Sequence, residues 1–341
     1  MGCVVVSISS VLQYFLSSYY TVFMQGLFLF HKPSGPSSAH YVSQIKRILK
    51  LPRDVRIGHG GTLDPFASGL LVIGISRPYT KLLDYQLHHA TKEYKAEIIL
   101  GAISDTDDCM GAIQNTNIDL SVFQFTKMNE WKEKIISAIE KLKQQETQIP
   151  PQYSAIKIKG KPAYLRSRKG ETFAISPKKV SLFEYDVFSV QERSDGLLSL
   201  RVSLTVSSGF YIRSFARDLG QSLGCGGYVH ALERVKIGHF SLKNALILDD
   251  LDKNVELSFR ATGTVQNVGF RAFAKNTADS LGIVGFSQNV DDGIKVVGQG
   301  RLPQLQEFLA KISTGPVGAH IEFKEDWFGS VSEEYKNFSI K

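Results

Sequence analysis

Cysteine is scarce in this chain. The 341 residues include three cysteines, Cys3, Cys109 and Cys225, and no two of them are close together in sequence. An odd number of distant cysteines argues against a disulfide framework and against a cysteine-ligated zinc site. We therefore expect a reducing, cytoplasmic setting and no metal cofactor.

Charged residues are absent from the first 30 positions. This apolar segment lacks the basic start of a secretory signal, and position 6 is Val6 where a lipidation motif needs serine or threonine. A weak membrane anchor is one interpretation. The other is an upstream start codon with Met24 as the initiator, and we favour it. We treat residues 1–25 as an extension and expect no membrane association.

Acidic residues are too few to balance the basic ones, and the formal net charge is +7. Residues 255–341 hold nine Lys/Arg and ten Asp/Glu, a net of −1, so residues 1–254 hold 31 against 23, a net of +8. The basic excess of the first part suits a polyanionic partner such as nucleic acid. Ordinary solubility charge is the alternative.

The patterning predicts an α+β protein of two or three domains. A polar run at residues 249–254 separates residues 26–250 from residues 255–341. The second part reads strand, helix, strand, strand, helix, strand, which is the ferredoxin-like βαββαβ order. Residues 335–340 could add a last edge strand.

A glycine-rich loop presents one aspartate. Residues 58–65 read Gly-His-Gly-Gly-Thr-Leu-Asp-Pro, so Asp64 stands among small residues that let a ligand approach closely. A tight turn whose aspartate bonds its own backbone is the alternative. Arg213 lies in an apolar stretch and needs a buried carboxylate partner, for which Asp64 is the candidate.

Cations and tyrosines alternate after Pro150-Pro151, an arrangement typical of proteins that hold looped or single-stranded RNA. An ordinary charged hairpin is the alternative. The residues are Tyr153, Lys157, Lys159, Lys161, Tyr164, Arg166, Arg168 and Lys169.

An acidic loop at residues 101–111 carries Asp105, Asp107 and Asp108. It resembles a metal-binding loop but lacks the spacing and terminal glutamate of an EF-hand. We therefore predict solvated turn chemistry for these carboxylates.

Seven motifs follow one another along residues 26–243, and together they resemble the TruB family of tRNA pseudouridine synthases across the catalytic domain. Gly60 departs from the threonine that is common in the family, and we see no room for the PUA domain that many members carry. The motifs are Lys32-Pro33-Ser34-Gly35, residues 58–69, Lys92-Glu93-Tyr94, Asp105-Thr106 with Asp108 and Gly111, residues 149–155, Gly209-Phe210-Tyr211-Ile212-Arg213 and Leu232-Glu233-Arg234.

The resemblance implies that the protein isomerises the T-loop uridine of tRNA to pseudouridine, with the T-arm as its partner and no cofactor. Asp64 would be the nucleophile, Arg213 would pair with it and keep it ionised, and Tyr94 would stack on the target base. The resemblance also implies substrate-binding roles: His59 as a wedge behind the extruded nucleotide, Tyr211 and Leu232 as walls of the base pocket, and Lys32 with residues 150–169 as phosphate contacts.

Residues 255–341 resemble acylphosphatase through the run at residues 263–271 and the run at residues 285–289. The loop runs into a helix N-terminus, whose N–H groups favour a phosphate. Arg271 adds a bidentate clamp, and Asn289 could position a water, so metal-free hydrolysis of a small acyl phosphate is expected. The loop residues are Val265, Gln266, Asn267, Val268 and Gly269, with Asn267 where the family usually has glycine.

Two hypotheses follow from these patterns. The first is a monomeric bifunctional enzyme, a tRNA pseudouridine synthase fused to an acylphosphatase. The second is a tRNA-binding folding helper whose tail is a non-catalytic docking module. The intact set of Asp64, Tyr94 and Arg213 favours the enzyme, because a pure binding protein needs none of them.

Overall fold

The computed structural model describes residues 24–87, 89–116, 128–154, 157–158, 161–162, 166, 171 and 173–341. The extension at residues 1–23 lies outside these ranges. So do four members of the basic segment: Lys159, Tyr164, Arg168 and Lys169.

Nineteen strands and six helices are named here in chain order. The strands are β1 (Gly26–Lys32), β2 (Ile57–Gly60), β3 (Ser68–Ile75), β4 (Lys92–Leu100), β5 (Ala102–Ser104), β6 (Ile113–Asn115), β7 (Thr147–Gln148), β8 (Lys157–Ile158), β9 (Lys161–Pro162), β10 (Lys178–Lys179), β11 (Leu182–Glu192), β12 (Leu198–Val206), β13 (Gly227–Ile237), β14 (Phe240–Ser241), β15 (Asn254–Thr264), β16 (Val284–Val290), β17 (Gly293–Arg301), β18 (His320–Gly329) and β19 (Phe338–Ile340). The helices are α1 (Ser38–Ile48), α2 (Arg77–Leu87), α3 (Met128–Lys143), α4 (Ile212–Ser222), α5 (Phe270–Ser280) and α6 (Leu302–Thr314).

One mixed sheet of 13 strands organises the described residues, which confirms the expected α+β class. Its order is β11-β12-β4-β13-β3-β1-β18-β15-β17-β16-β19, with β2 on β3 and β14 on β13. Strand β4 shows why such segments form strands, because its side chains alternate between buried and less buried before a fully buried end. Helix α1 begins where Ser37 accepts a hydrogen bond from His40 N at 3.2 Å.

The last part of the chain has the predicted βαββαβ order. Strands β18, β15, β17 and β16 lie side by side, and β19 adds a parallel edge strand next to β16, as expected for residues 335–340. Helices α5 and α6 pack on one face of these strands through Phe270, Ala274, Leu305 and Phe308.

The two parts of the chain share the sheet and a core. Strand β1 pairs in parallel with β18 at Phe28 and Phe328, whose rings stack with centroids 4.7 Å apart. Phe28 and Phe30 belong to the same buried cluster as Phe259 and Phe308. The polar run that we predicted as a linker leads through a short turn into β15, and the domain boundary between residues 250 and 255 stays a prediction.

The strand directions place the glycine loop with Asp64 and the loop at residues 265–269 at opposite ends of the strands. Strand β18 is parallel to β1, and β15 is antiparallel to β18. The C-terminal ends of β1 and β15 therefore point in opposite directions. The loop after β15, at residues 265–269, lies far from the glycine loop that carries Asp64.

Among the described residues, no helix combines the length and the apolar character needed to cross a membrane.

Candidate active sites

Asp64 lies in the loop between β2 and β3, and its neighbours hold that loop in place. Leu63 is buried, and Ser38 at the start of α1 both donates to its carbonyl oxygen and accepts from its N–H, each at 2.9 Å. Gly35 N donates to Pro65 O at 2.7 Å. The Asp64 side chain nevertheless stays 34% exposed. The loop therefore presents this carboxylate on a fixed backbone.

Arg234 fixes the other side of the loop. Its Nε donates to Leu70 O and its Nη2 to Gly61 O, both at 2.9 Å, and the side chain is buried. Gly61 has φ +85°, and Gly69 has φ +109° with Arg234 backbone where a side chain would stand. Glycine is required at both positions because of this positive φ and close packing. Arg234 closes the last sequence motif, but its place in the site was not predicted.

Arg213 joins two carboxylates. Its Nε lies 3.0 Å from Asp64 Oδ2, and its Nη2 donates to Asp64 Oδ1 at 3.2 Å. Its Nη1 donates to Asp108 Oδ2 at 3.2 Å, and further bonds reach Thr106 O and Tyr153 O at 3.2 Å and 3.0 Å. The structure therefore brings together Asp64 and Arg213, the pair that the sequence indicated.

Asp108 corrects one sequence-based prediction, because its carboxylate is not a solvated turn group. The residue is 4% exposed. Besides Arg213, its Oδ1 accepts from Thr106 Oγ1 at 2.7 Å and from Met110 N at 3.0 Å. Of the neighbouring acids, Asp107 pairs with Arg217 at 3.1 Å. The local acidic pattern gave no sign of these distant partners on α4.

Burial and charge act in opposite directions on Asp64. Burial raises the pKa of its carboxyl, and the positive charge of Arg213 lowers it in part, while the nearby Asp108 adds to the rise. We expected Arg213 to keep Asp64 ionised. Arg213 does act in that direction, but burial is the larger effect.

A cavity of about 290 Å³ opens beside Asp64. Tyr94, Tyr211 and Leu232, the three residues predicted to contact the target base, all line it. The remaining lining residues are Gly61, Thr62, Leu63, Lys92, Ser154, Ser208, Gly209, Phe210, Ile212, Arg213 and Arg234.

Lys32 and His59 are not among the residues that line this cavity, although the Lys32 ammonium lies 3.5 Å from Pro65 O in the glycine loop. Lys32 is fully buried, and its ammonium donates to the carbonyl oxygens of Pro33 and Pro36 at 2.8 Å and 2.9 Å. This geometry gives no support to a phosphate contact for Lys32. His59 lies on β2 opposite Ile73 and does not line the cavity. Burial lowers the pKa of its imidazole.

The basic segment is described only in part. Arg166 forms an ion pair with Glu171 at 2.6 Å, and its guanidinium lies 4.8 Å from the centre of the Phe173 ring. The backbone of Tyr153 is tied to Arg213. The predicted RNA contact of this segment therefore stays a prediction.

A second candidate site follows β15. Residues 265–269 curl into the start of α5, where Gly269 caps the helix with φ +77° and Asn267 has φ +61°. Asparagine adopts this left-handed conformation more readily than most residues, which suits Asn267 to this position. Val265 is buried, and Gln266 Nε2 donates to Val290 O and Gly293 O at 3.3 Å and 3.2 Å.

Arg271 and Asn289 flank this loop. Arg271 stands in the first turn of α5, and its Nη1 donates to Lys341 O at 3.2 Å. Asn289 is exposed near the end of β16, beside the β16–β17 hairpin that Gln266 contacts. Free N–H groups at the start of α5 and one guanidinium can hold a phosphate there.

Three protein-family models match the chain. The one described as TruB family pseudouridylate synthase (N terminal domain) matches residues 46–212, and tRNA pseudouridylate synthase B C-terminal domain matches residues 213–261. Acylphosphatase matches residues 257–340.

Individual proteins are similar to parts of the chain. A tRNA pseudouridine synthase B from Corynebacterium diphtheriae is 40% identical over 233 residues, covering 68% of this chain and 74% of that protein. A solved Cbf5-Nop10-Gar1 complex holds a chain that is 26% identical, with a TM-score of 0.48, over 69% of this chain and 55% of that one. An acylphosphatase structure from Bacillus subtilis is 27% identical, with a TM-score of 0.23, over 26% of this chain and 98% of that one.

Proposed function

The chain belongs to the TruB family of pseudouridylate synthases, and we propose on that basis that it converts the T-loop uridine of tRNA to pseudouridine with Asp64 as the nucleophile. The observation that carries the proposal is the contact of Arg213 with Asp64 on the wall of a cavity of about 290 Å³. Enzymes that act on a base in folded RNA extrude it into such a pocket.

The walls of the cavity suggest how each residue acts. The Asp64 carboxylate would attack the ribose while Arg213 holds it in one orientation. Tyr94 would stack on the uracil ring, and Tyr211 and Leu232 would close the pocket around it. His59 does not line the cavity, and it would act as a wedge that fills the space left by the extruded nucleotide. tRNA is the expected partner, and a cytoplasmic location and a monomeric state remain predictions.

The tRNA position can be tested on an unmodified tRNA transcript. After incubation with the full chain, we expect pseudouridine at the T-loop uridine alone, read nucleotide by nucleotide. A transcript with cytidine at that position is the matched control and should gain none. Pseudouridine only at other positions would contradict the proposed site, and its complete absence would favour an RNA-binding helper.

We propose a second activity for the loop at residues 265–269, the hydrolysis of small acyl phosphates. It is supported by the match of residues 257–340 to acylphosphatase and by the helix N-terminus beside Arg271. Arg271 would neutralise the phosphate, and Asn289 would position the attacking water. The alternative is a docking module that keeps the fold without the chemistry.

Arg271→Ala separates these two alternatives. With acetyl phosphate as substrate we expect kcat/KM to fall by about 100-fold, since a charged group that stabilises the transition state is lost. Lys311→Ala, which removes an exposed cation on α6, is the matched control and should change nothing. Pseudouridine formation should be unaffected by either substitution. Equal hydrolysis rates for wild type and Arg271→Ala would contradict the proposed activity of this loop and would favour the docking module.

A further inference from the structure

Lys92 is a buried cation on the wall of the base cavity, and none of the roles above uses it. It is the first residue of β4 and is 9% exposed. Tyr94 follows two residues later, so both side chains leave the strand on the same side, and both line the cavity. Lys92 Nζ donates to Ser208 Oγ at 3.1 Å.

No carboxylate of the described residues lies within ion-pair distance of this ammonium. Arg234 stands nearby, and burial together with its positive charge lowers the pKa of Lys92 to about 8. The other ionisable groups on the cavity wall are Asp64, Tyr94, Tyr211 and Arg213, and Asp64 is already paired with Arg213. A buried cation without a counter-charge is costly to the folded protein, which indicates that an anion joins it during function.

The proposed reaction generates such an anion inside the cavity. When the C1′–N1 bond breaks, its electron pair leaves with N1, C1′ becomes bonded to the Asp64 oxygen, and the base carries one negative charge shared with its carbonyl oxygens. C5 then attacks C1′ and the carboxylate departs with its bonding pair. The base finally loses the proton on C5 and gains one on N1, so no proton is gained or lost overall.

We propose that Lys92 stabilises the negative charge of the detached uracil between these two bond changes. The proposal rests on the function proposed above. Lys92 keeps its proton throughout, and Ser208 orients its ammonium. A preorganised charge is effective because it needs no rearrangement as the base becomes charged.

A backbone phosphate is the other anion that tRNA could bring, and burial argues against it. Phosphates stay joined to the RNA chain outside a base pocket, whereas Lys92 is buried and lines the pocket together with Tyr94. The two cases also differ in kinetics. A phosphate contact strengthens binding of substrate and transition state alike, while a contact with the charged base acts only after the bond breaks.

Lys92→Gln tests the role directly, in the full chain with the tRNA transcript. We expect kcat to fall by about 100-fold, as when one oxyanion-stabilising group is removed, with KM and the tRNA Kd changed less than about twofold. Lys95→Gln removes an exposed lysine of the same strand and should behave as wild type. Thermal melting of each variant checks that the fold is kept.

Two other results would overturn the proposal. An unchanged kcat in Lys92→Gln would show that Lys92 does not stabilise the detached uracil. A raised KM with unchanged kcat would assign Lys92 to a phosphate instead. In that case the slope of the logarithm of the tRNA binding constant against the logarithm of the salt concentration should also be smaller by about one. Asp64→Asn is assayed alongside: an active Asp64→Asn rejects the underlying mechanism, whereas an inactive one beside a fully active Lys92→Gln rejects only this inference.

The pH profile gives a readout that a structural role would not change. Lys92 is charged below its pKa, so wild-type kcat should fall as the pH rises through about 8. Lys92→Arg keeps the charge at every accessible pH and should lose that alkaline limb while retaining measurable turnover. The same limb in Lys92→Arg would assign it to another group, such as Lys32, and would contradict the proposal.

Discussion

Arg213 is the residue on which the synthase site depends. One buried guanidinium contacts both carboxylates and ties the backbone of Tyr153 to them. Removing one partner from a buried ion pair costs about 3–5 kcal/mol, because the remaining charge stays buried and unpaired. The Asp64 pairing could be predicted, since an arginine in an apolar stretch needs a carboxylate. The Asp108 pairing could not, because its local sequence looks like a solvent-exposed acidic turn.

The acid limb of the pH profile tests the environment of Asp64. The nucleophile must be ionised, and its ionised fraction falls as the pH drops through its pKa in the folded protein. Burial raises that pKa, so the acid limb of kcat/KM should lie at a higher pH than the ordinary aspartate value of about 3.9. A limb at or below the ordinary value would show that Arg213 outweighs burial.

Strand β1 is the element that joins the two parts of the molecule. It pairs with β3 on one side and with β18 on the other. The sequence predicted the βαββαβ order from local periodicity. It did not predict the β1–β18 pairing, since nothing in either strand's pattern identifies a partner 300 residues away.

Phe28→Ala tests this junction. Phe28 is fully buried and stacks on Phe328, so its truncation should lower the free energy of unfolding by about 3–5 kcal/mol. We expect the urea midpoints for loss of both activities to fall together. Phe183→Ala, at a site 46% exposed on edge strand β11, should change stability by less than about 0.5 kcal/mol. An unchanged midpoint for either activity in Phe28→Ala would contradict a shared core.

At the scale of the whole molecule, one sheet carries two chemically separate sites. The Asp64 cavity and the loop at residues 265–269 lie at opposite ends of the strands of this sheet. This separation explains why substitutions at one site should spare the other. Each half could be predicted from its own motifs. That the two halves share a single sheet could be seen only in the structure, because it depends on the Phe28–Phe328 contact between them.

The most direct test of the central claim is a single-turnover assay of pseudouridine formation by wild type and Asp64→Asn. Asparagine keeps the size of the side chain but removes the nucleophile. We predict tRNA binding in both proteins, pseudouridine at the T-loop uridine with wild type, and none above background with Asp64→Asn. Pseudouridine formation by Asp64→Asn at the wild-type rate would contradict the account.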